Sequence, residues 1–247
     1  MATPLYKVVR LPSVLAADAG NQQENELIDK TRSFRLEMLR TSPDKFAAVY
    51  DEEVLLPVER TRHRMSHPLG AHYVAIPTDR DSARLPLNEI EWVGAMVRYG
   101  PEIETRFKRA KFSFQPLEES DGREESVASL LESKAAVDKS LHYHHFGLFV
   151  SPIARGQGMG AALIKASIKD AGEFGVASGA LEVRHTIALD TDNTNALRLY
   201  SKIGFVISEQ GLYRPKIRKG VVQEEKGYTI MECLVTLAEV GVDQKQA

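Results

Sequence analysis

The sequence predicts an α/β fold, in which strands and helices alternate along the chain. Short apolar runs typical of strands recur from one end to the other, at residues 6–11, 72–76, 90–99, 141–150, 181–190, 205–208 and 228–237. Between them, apolar residues recur at three- and four-residue steps and predict helices, at residues 24–40, 157–172 and 195–202. With 247 residues, we expect a single domain, residues 1–247, that carries an insertion.

The first helix and its continuation follow from the local sequence. Apolar residues place one face of 24–40 toward a core, namely Leu27, Ile28, Phe34, Met38 and Leu39. Ser42-Pro43 ends this helix, because the residue before a proline disfavours helical backbone. Pro43 can then open a second helix with Ser42 as its N-cap, which would place Phe46, Val49 and Tyr50 on one face.

The middle of the chain interrupts the regular alternation. Residues 78–87 are polar and read as a loop, and residues 101–140 form a highly charged insertion with a short helix predicted at 127–137. A charged run usually lies in solvent. This insertion could instead cover an acceptor site, cap a cofactor or mediate the contacts of a homodimer.

A glycine-rich turn between a strand and a helix predicts an anion site. Residues 155–160 read Arg-Gly-Gln-Gly-Met-Gly and follow the apolar run Phe146-Gly-Leu-Phe-Val150. Glycines let the backbone approach a phosphate, and the first N–H groups of a helix have no partner inside it. No Gly-Lys-Ser/Thr follows, so this is not a Walker loop. The Gly-x-Gly-x-Gly spacing also differs from the Gly-x-Gly-x-x-Gly of dinucleotide-binding turns.

A second motif identifies the kind of anion. Residues 193–205 read Asn-Thr-Asn-Ala-Leu-Arg-Leu-Tyr-Ser-Lys-Ile-Gly-Phe. Together with Val150-Ser-Pro-Ile-Ala-Arg-Gly-Gln-Gly-Met-Gly160, this segment resembles the GCN5-related N-acetyltransferase (GNAT) superfamily. The resemblance covers about 145–208. It implies a mixed, twisted sheet of six or seven strands with helices on both faces, and acetyl-CoA as the acyl donor.

The resemblance also implies which residues hold the cofactor. The backbone of Leu148, Phe149 and Val150 would pair with the pantetheine arm like an added strand. Arg155 and the backbone of Gly156, Gln157, Gly158, Met159 and Gly160 would surround the pyrophosphate. Asn193 would touch the pantetheine or fix the strand end, and it is also a favoured helix N-cap.

Acetyl transfer to an amine needs a base and an acid. At the position matching the family's tyrosine, Tyr200 would protonate the departing thiolate, because a phenol with a pKa of about 10 stays protonated at neutral pH. Imidazole, with an unperturbed pKa of about 6.5, suits the base. His144 lies at the family's usual position for a base, and His142 shares its face of the strand, whereas His145 points the other way.

Several other residues are secondary candidates. Glu91 and Glu182 are reserve bases whose simpler role is that of exposed carboxylates, and Trp92 reads as a core or pocket-wall residue. A metal held by His142 and His144 has no acidic or cysteine partner nearby in the sequence, so no metal is expected. Cys233 reads as a buried, inert thiol that cannot form an internal disulfide, which fits a reducing compartment.

The composition limits the classes of binding partner that we expect. The formal net charge of −2 gives no sign of binding to nucleic acid or to an anionic membrane. No apolar run has the length of a membrane span or of a signal peptide, so we expect a cytoplasmic protein. The predicted activity is transfer of acetyl to a primary amine, on a small molecule or a peptide, in a direct ternary complex. The alternative is a GNAT-like module that binds or senses acyl-CoA without turnover.

Overall fold

The computed structural model describes residues 6–14, 21–78, 85–102, 140–213 and 224–237. These ranges contain seven strands, namely β1 (Tyr6–Arg10), β2 (Gly70–Pro77), β3 (Gly94–Glu102), β4 (Ser140–Val150), β5 (Glu182–Asp190), β6 (Val206–Tyr213) and β7 (Lys226–Thr236). Within the described residues, the helices are α1 (Gln22–Thr41), α2 (Tyr50–Glu53), α3 (Val58–Ser66), α4 (Met159–Ala177) and α5 (Thr194–Ile203). Short 3-10 turns lie at Pro43–Lys45 and Pro152–Ala154.

The strands form one mixed sheet in the order β1-β2-β3-β4-β5-β7-β6. β4 and β5 run parallel, whereas the pairs β1–β2, β5–β7 and β6–β7 are antiparallel. The predicted fold class is therefore confirmed. The parallel pair needs a long crossover, which α4 supplies between β4 and β5.

The chain divides into two compact units, and the first comprises residues 1–98 and 146–166. Its core lies where α1 packs against β2 and the end of β4. Phe34 of α1 meets the rings of Trp92 and Phe149 edge-on, with centroids 5.7 and 5.8 Å apart. The predicted apolar face of α1 is buried as expected, and Asn21 caps the helix by accepting a hydrogen bond from the backbone N–H of Glu24.

The second unit comprises residues 99–145 and 167–247. Its core joins β4, β5 and the second half of α4 through buried residues, namely Leu141, Tyr143, Ala171 and Val183. β5 is paired along its whole length with β7, from Glu182 opposite Thr236 to Asp190 opposite Tyr228. The second unit therefore contains the first part of β4, where the histidines lie.

One predicted element is wrong, and others have different ends. The helix expected from Pro43 is only a 3-10 turn, Ser42 makes no side-chain cap, and Phe46 and Val49 have extended backbone. The helix α3, which follows at Val58–Ser66, was not predicted. α4 extends to Ala177 and β6 to Tyr213, beyond the predicted ends. The helix expected at 127–137, with nearly all of the insertion at 101–140, lies outside the described residues.

Candidate active site

The glycine-rich loop lies between the end of β4 and the start of α4. Gly156 and Gly158 have φ values of +76° and +80°, in the left-handed region that favours glycine. A Cβ on either glycine would meet no protein atom within 4 Å. Backbone conformation, and not crowding by the rest of the protein, therefore requires glycine at these two positions.

The loop presents a run of backbone N–H groups. Within the part of the chain that the structure describes, the N–H groups of residues 157–161 donate to no protein acceptor, and the first N–H of α4 that does is that of Ala162, to Gly158. Gly156, Gln157 and Gly158 are exposed. Consecutive donors at the positive end of a helix dipole form a site for an anion.

Arg155 is exposed but is turned back toward the strand. Its Nε donates to the carbonyl oxygen of Val150 at 3.0 Å, and its Nη2 donates to Ser42 Oγ at 3.3 Å. The Gln157 amide likewise donates to the carbonyl of Ile153. Arg155 therefore holds the loop against the end of β4, in addition to placing a positive charge beside it.

The end of β4 is anchored by one large side chain. Phe149 is 3% exposed and packs in the core of the first unit, while Leu148 and Val150 on either side are half-buried. The Ser151 N–H donates to the carbonyl of Val93 at 2.8 Å. This anchoring fixes the strand end from which the loop begins.

His144 lies beside a buried carboxylate. In the second unit, His144 Nε2 is 3.3 Å from Glu102 Oε2, and the two side chains are only 10% and 12% exposed. Glu102 is the last residue of β3. A carboxylate at this distance attracts a positive charge that forms on the ring during proton transfer. This geometry suits a base.

The other two histidines of β4 have different surroundings. His142 is buried, with its Nε2 3.3 Å from Ser140 Oγ. His145 is fully buried on the other side, where its Nε2 lies 2.9 Å from Nδ1 of His185, so one of these nitrogens donates to the other. His185 also stacks on Tyr143. The pair of His145 and His185 is thus part of the packed interior of the second unit.

Tyr200 is a buried tyrosine on α5. It is 3% exposed, and its ring meets that of Phe205 edge-on at 5.4 Å. Within the described segments, its hydroxyl has no hydrogen-bond partner. Burial raises the pKa of the Tyr200 phenol above its usual range, so this group is protonated at neutral pH.

Asn193 takes the place of N-cap of α5, as its residue type favours. Its Oδ1 accepts a hydrogen bond from the N–H of Ala196 at 3.4 Å. At the other end of this helix, Gly204 has a φ of +106° and closes it in the left-handed conformation.

The surroundings of the secondary candidates mostly match the non-catalytic roles that the sequence predicts for them. Glu91 is exposed, and Glu182 lies at the start of β5 with its Oε1 3.7 Å from Nη2 of Arg184. Trp92 is buried and donates its indole N–H to the carbonyl of Leu87, although it lies just before β3. Cys233 is half-buried and not fully buried as expected, and burial raises the pKa of its thiol.

Two findings concern metals and membranes. Among the residues that the structure describes, no group of three or more His, Cys, Asp and Glu side chains could hold a metal ion. None of the helices in the same residues has both the length and the apolar character of a membrane span.

The structure adds two residues that the motifs did not indicate. Glu102 lies beside His144, and His185 pairs with His145. Glu102 comes 42 positions before His144 in the sequence. It lies inside the segment that the sequence assigned to the charged insertion at 101–140, so only the pairing of strands brings the two residues together. The alternation of β4 residues did indicate that His144 and His145 face opposite sides.

Comparisons with known proteins point to one family. Residues 119–207 match the family model described as "Acetyltransferase (GNAT) domain". No curated protein sequence matches the chain. The resemblance to GNAT proteins that the two motifs carry is confirmed by this match.

Solved structures with the same fold include three acetyltransferases. The GNAT-family acetyltransferase from Streptococcus pneumoniae is 15% identical, with 93% of this chain and 100% of that chain covered and a TM-score of 0.52. Arabidopsis thaliana NAA60 in complex with a bisubstrate analogue is 14% identical, with coverage of 93% and 100% and a TM-score of 0.51. A putative acetyltransferase from Acinetobacter baylyi ADP1 is 13% identical, with coverage of 95% and 94% and a TM-score of 0.51. At these identities the likeness shows the fold.

Proposed function

We propose that this chain, which carries a GNAT domain match and the GNAT fold, is an acetyl-CoA-dependent N-acetyltransferase. The observation that carries the proposal is the run of N–H groups at residues 157–161, without protein acceptors in the described part of the chain. Such a run suits the pyrophosphate of CoA, since two adjacent phosphates can accept several donors at once. The acceptor is a primary amine.

The cofactor is held by backbone more than by side chains. Gly156 and Gly158 turn the loop so that its N–H groups converge on the pyrophosphate, and the dipole of α4 adds to their attraction. The backbone of Leu148 to Val150 pairs with the pantetheine arm as an added strand. Arg155 acts mainly by fixing the loop to Val150.

His144 is the base of the proposed reaction. An ammonium ion cannot attack a thioester, so a group on the enzyme must first accept a proton from the amine. His144 accepts it, and the Glu102 carboxylate 3.3 Å away compensates the positive charge that forms on the ring. The free amine then attacks the thioester carbonyl carbon, and the N–C bond forms. As the C–S bond breaks, the nitrogen gives up its second proton and the departing sulfur gains one through Tyr200, so the products are the amide and the CoA thiol.

Tyr200 completes the proposed reaction at the sulfur. Its phenol is protonated at neutral pH because burial raises its pKa. A phenol of raised pKa is a weak acid, so its main contribution is a hydrogen bond to the charge that develops on the departing thiolate, with the proton following. The absence of a protein partner for this hydroxyl, among the described residues, supports this role.

Two measurements on the same protein test the proposal. Release of the CoA thiol from acetyl-CoA is followed with a mixed panel of amines, and calorimetry measures acetyl-CoA binding. Binding together with amine-dependent thiol release is the expected result. Binding without release on any small amine or peptide would favour the non-catalytic acyl-CoA-binding module. A lack of binding by acetyl-CoA, CoA and longer acyl-CoAs would overturn the proposal.

A further inference from the structure

The second unit contains a buried hydroxyl that the proposed reaction has not used. Thr186 lies in the middle of β5 and is only 3% exposed. Within the described residues, its Oγ1 has no hydrogen-bond partner. Buried hydroxyls normally have a partner, and a valine of nearly the same shape would fill this position without burying a polar atom. The Thr186 hydroxyl is therefore available to a ligand.

Strand pairing places Thr186 beside the proposed base. In the parallel pair of β4 and β5, Thr186 is the register partner of His144. Register partners lie on strands about 4.8 Å apart and point to the same face of the sheet. The preceding pair, Tyr143 and His185, points to the other face, where the two rings stack. Thr186 and His144 therefore share one face of the sheet within the second unit, so a group bound between them can contact both.

Other polar side chains lie on the same face, but none of them binds the Thr186 hydroxyl. Glu232 is the register partner of Thr186 on β7. It accepts a hydrogen bond at 3.2 Å from Nη1 of Arg184, which comes two positions before Thr186 on β5. On the far side of His144, Glu102 lies 3.3 Å from the imidazole. A hydroxyl beside a base and among charged groups is suited to a polar ligand, such as the nitrogen of an amine.

The proposed reaction leaves one hydrogen of the acceptor nitrogen in place. A primary ammonium ion carries three hydrogens, of which the first goes to His144 and the second leaves as the C–S bond breaks. The third remains in the amide product. A secondary amine has no such hydrogen, because its product is a tertiary amide without an N–H group.

We propose that Thr186 binds the acceptor nitrogen by accepting a hydrogen bond from the one N–H that the amide product retains. A neutral hydroxyl is too weak a base to remove this hydrogen, so it fixes the direction of the nitrogen without reacting with it. Thr186 thereby selects primary amines over secondary amines, whose last N–H must be lost in the reaction. The inference rests on the proposed acetyltransferase function, but binding of an amine at Thr186 can be tested without turnover.

Thermal unfolding shows whether the fold itself uses the hydroxyl. Thr186→Val should unfold at the wild-type temperature or up to about 4 °C higher, because it removes a buried polar atom without a partner. Thr229→Val is the matched control, since Thr229 is fully buried on β7 and its Oγ1 is bonded to Thr191 and Gln210. The control should unfold about 2–4 °C lower. An equal loss of stability in Thr186→Val would overturn the inference.

Thiol release is then compared between n-butylamine and N-methylbutylamine, which differ by one methyl group on nitrogen. Thr186→Val should lower kcat/KM by about 10-fold for n-butylamine and by less than about 3-fold for N-methylbutylamine, so the preference for the primary amine narrows. Thr186→Ser keeps a hydroxyl and should lose less than about 3-fold with either amine. Equal losses for both amines in Thr186→Val, or no loss with n-butylamine, would contradict the proposed role.

Binding separates this inference from the proposed function. In NMR titrations of the full chain with n-butylamine, Thr186→Val should bind about 3- to 10-fold more weakly than the wild type, and Thr229→Val should bind as the wild type does. If this difference is found but no amine releases thiol, the amine site stands and the acetyltransferase proposal fails. Thiol release that is as fast in Thr186→Val as in the wild type would leave the function intact and overturn this inference. A lack of saturable n-butylamine binding to the wild type would also overturn it.

Discussion

His144 Nε2 lies 3.3 Å from Oε2 of Glu102, and both side chains are nearly buried. The imidazole of His144 on β4 therefore lies at ion-pair distance from a carboxylate. This pair supports His144 as the base over His142, which lies beside Ser140 instead. If the two groups act as a unit, their substitutions cannot be independent.

Glu102→Gln should lower kcat by about 10- to 100-fold, because the positive charge that forms on His144 loses its compensation. In a His144→Gln background the same change should cost little more, since the histidine through which Glu102 acts is gone. Steady-state kinetics of the four proteins measure this. Glu182→Gln is the control, because Glu182 is also at a strand end but lies beside Arg184. If the loss of kcat in the double variant equals the product of the losses in the two single variants, Glu102 does not act through His144.

Tyr200→Phe should lower kcat by about 10- to 100-fold while the KM for acetyl-CoA changes by less than about 3-fold, because the hydroxyl acts at the departing sulfur. Stability should hardly change, since within the described chain the hydroxyl makes no hydrogen bond that would be lost. Kinetics and thermal unfolding check the two parts. Tyr228→Phe, which removes a hydroxyl bonded to Glu209, serves as the comparison. An unchanged kcat would make Tyr200 a packing residue only.

Glu53→Gln should destabilise the protein in a way that depends on pH. Burial would raise the pKa of Glu53, but hydrogen bonds and charges of Arg35 and Arg64 outweigh it and lower the pKa from 4.5 to about 2. Ionised Glu53 therefore stabilises the folded state above about pH 4.5, and this contribution disappears as the pH falls toward 2. We expect a loss of about 1–2 kcal/mol at pH 7, because solvent near the cluster screens part of the effect.

Urea unfolding at pH 7 and at pH 3.5 measures this difference. The difference in the free energy of unfolding between the wild type and Glu53→Gln should be smaller at pH 3.5 than at pH 7. The exposed neighbour Glu52 provides the control, since Glu52→Gln should change the free energy of unfolding by less than about 0.5 kcal/mol. A difference in the free energy of unfolding that widens as the pH falls would contradict the lowered pKa of Glu53.

The sequence predicted those parts of the fold that depend on local pattern. The face of α1, the glycine loop and the Asn193 cap of α5 are each encoded within a few neighbouring residues. The helix expected after Pro43 failed because tertiary packing overrode the local signal. Phe46 has extended backbone and lies against Phe149, with ring centroids 6.4 Å apart. A packing partner about 100 positions away cannot be read from the residues around Pro43.

The candidate site was predictable to a similar degree. The motifs indicated Tyr200 and the loop, and strand alternation indicated that His144 and His145 differ. The identity of their partners, Glu102 and His185, depends on which strands become neighbours. That Tyr200 has no partner for its hydroxyl in the described residues depends on packing around the whole side chain. Neither property has a local signal in the sequence.

Calorimetric titration of acetyl-CoA into Gly158→Asp tests the central claim most directly. The account predicts a Kd at least about 100-fold higher than for the wild type, because an aspartate puts negative charge where the pyrophosphate binds and strains a left-handed residue. Gly179→Asp imposes the same strain, since Gly179 has a φ of +73° and open space around it, but it lies outside the loop and should bind normally. Unchanged binding by Gly158→Asp, or equal loss in both variants, would contradict the account.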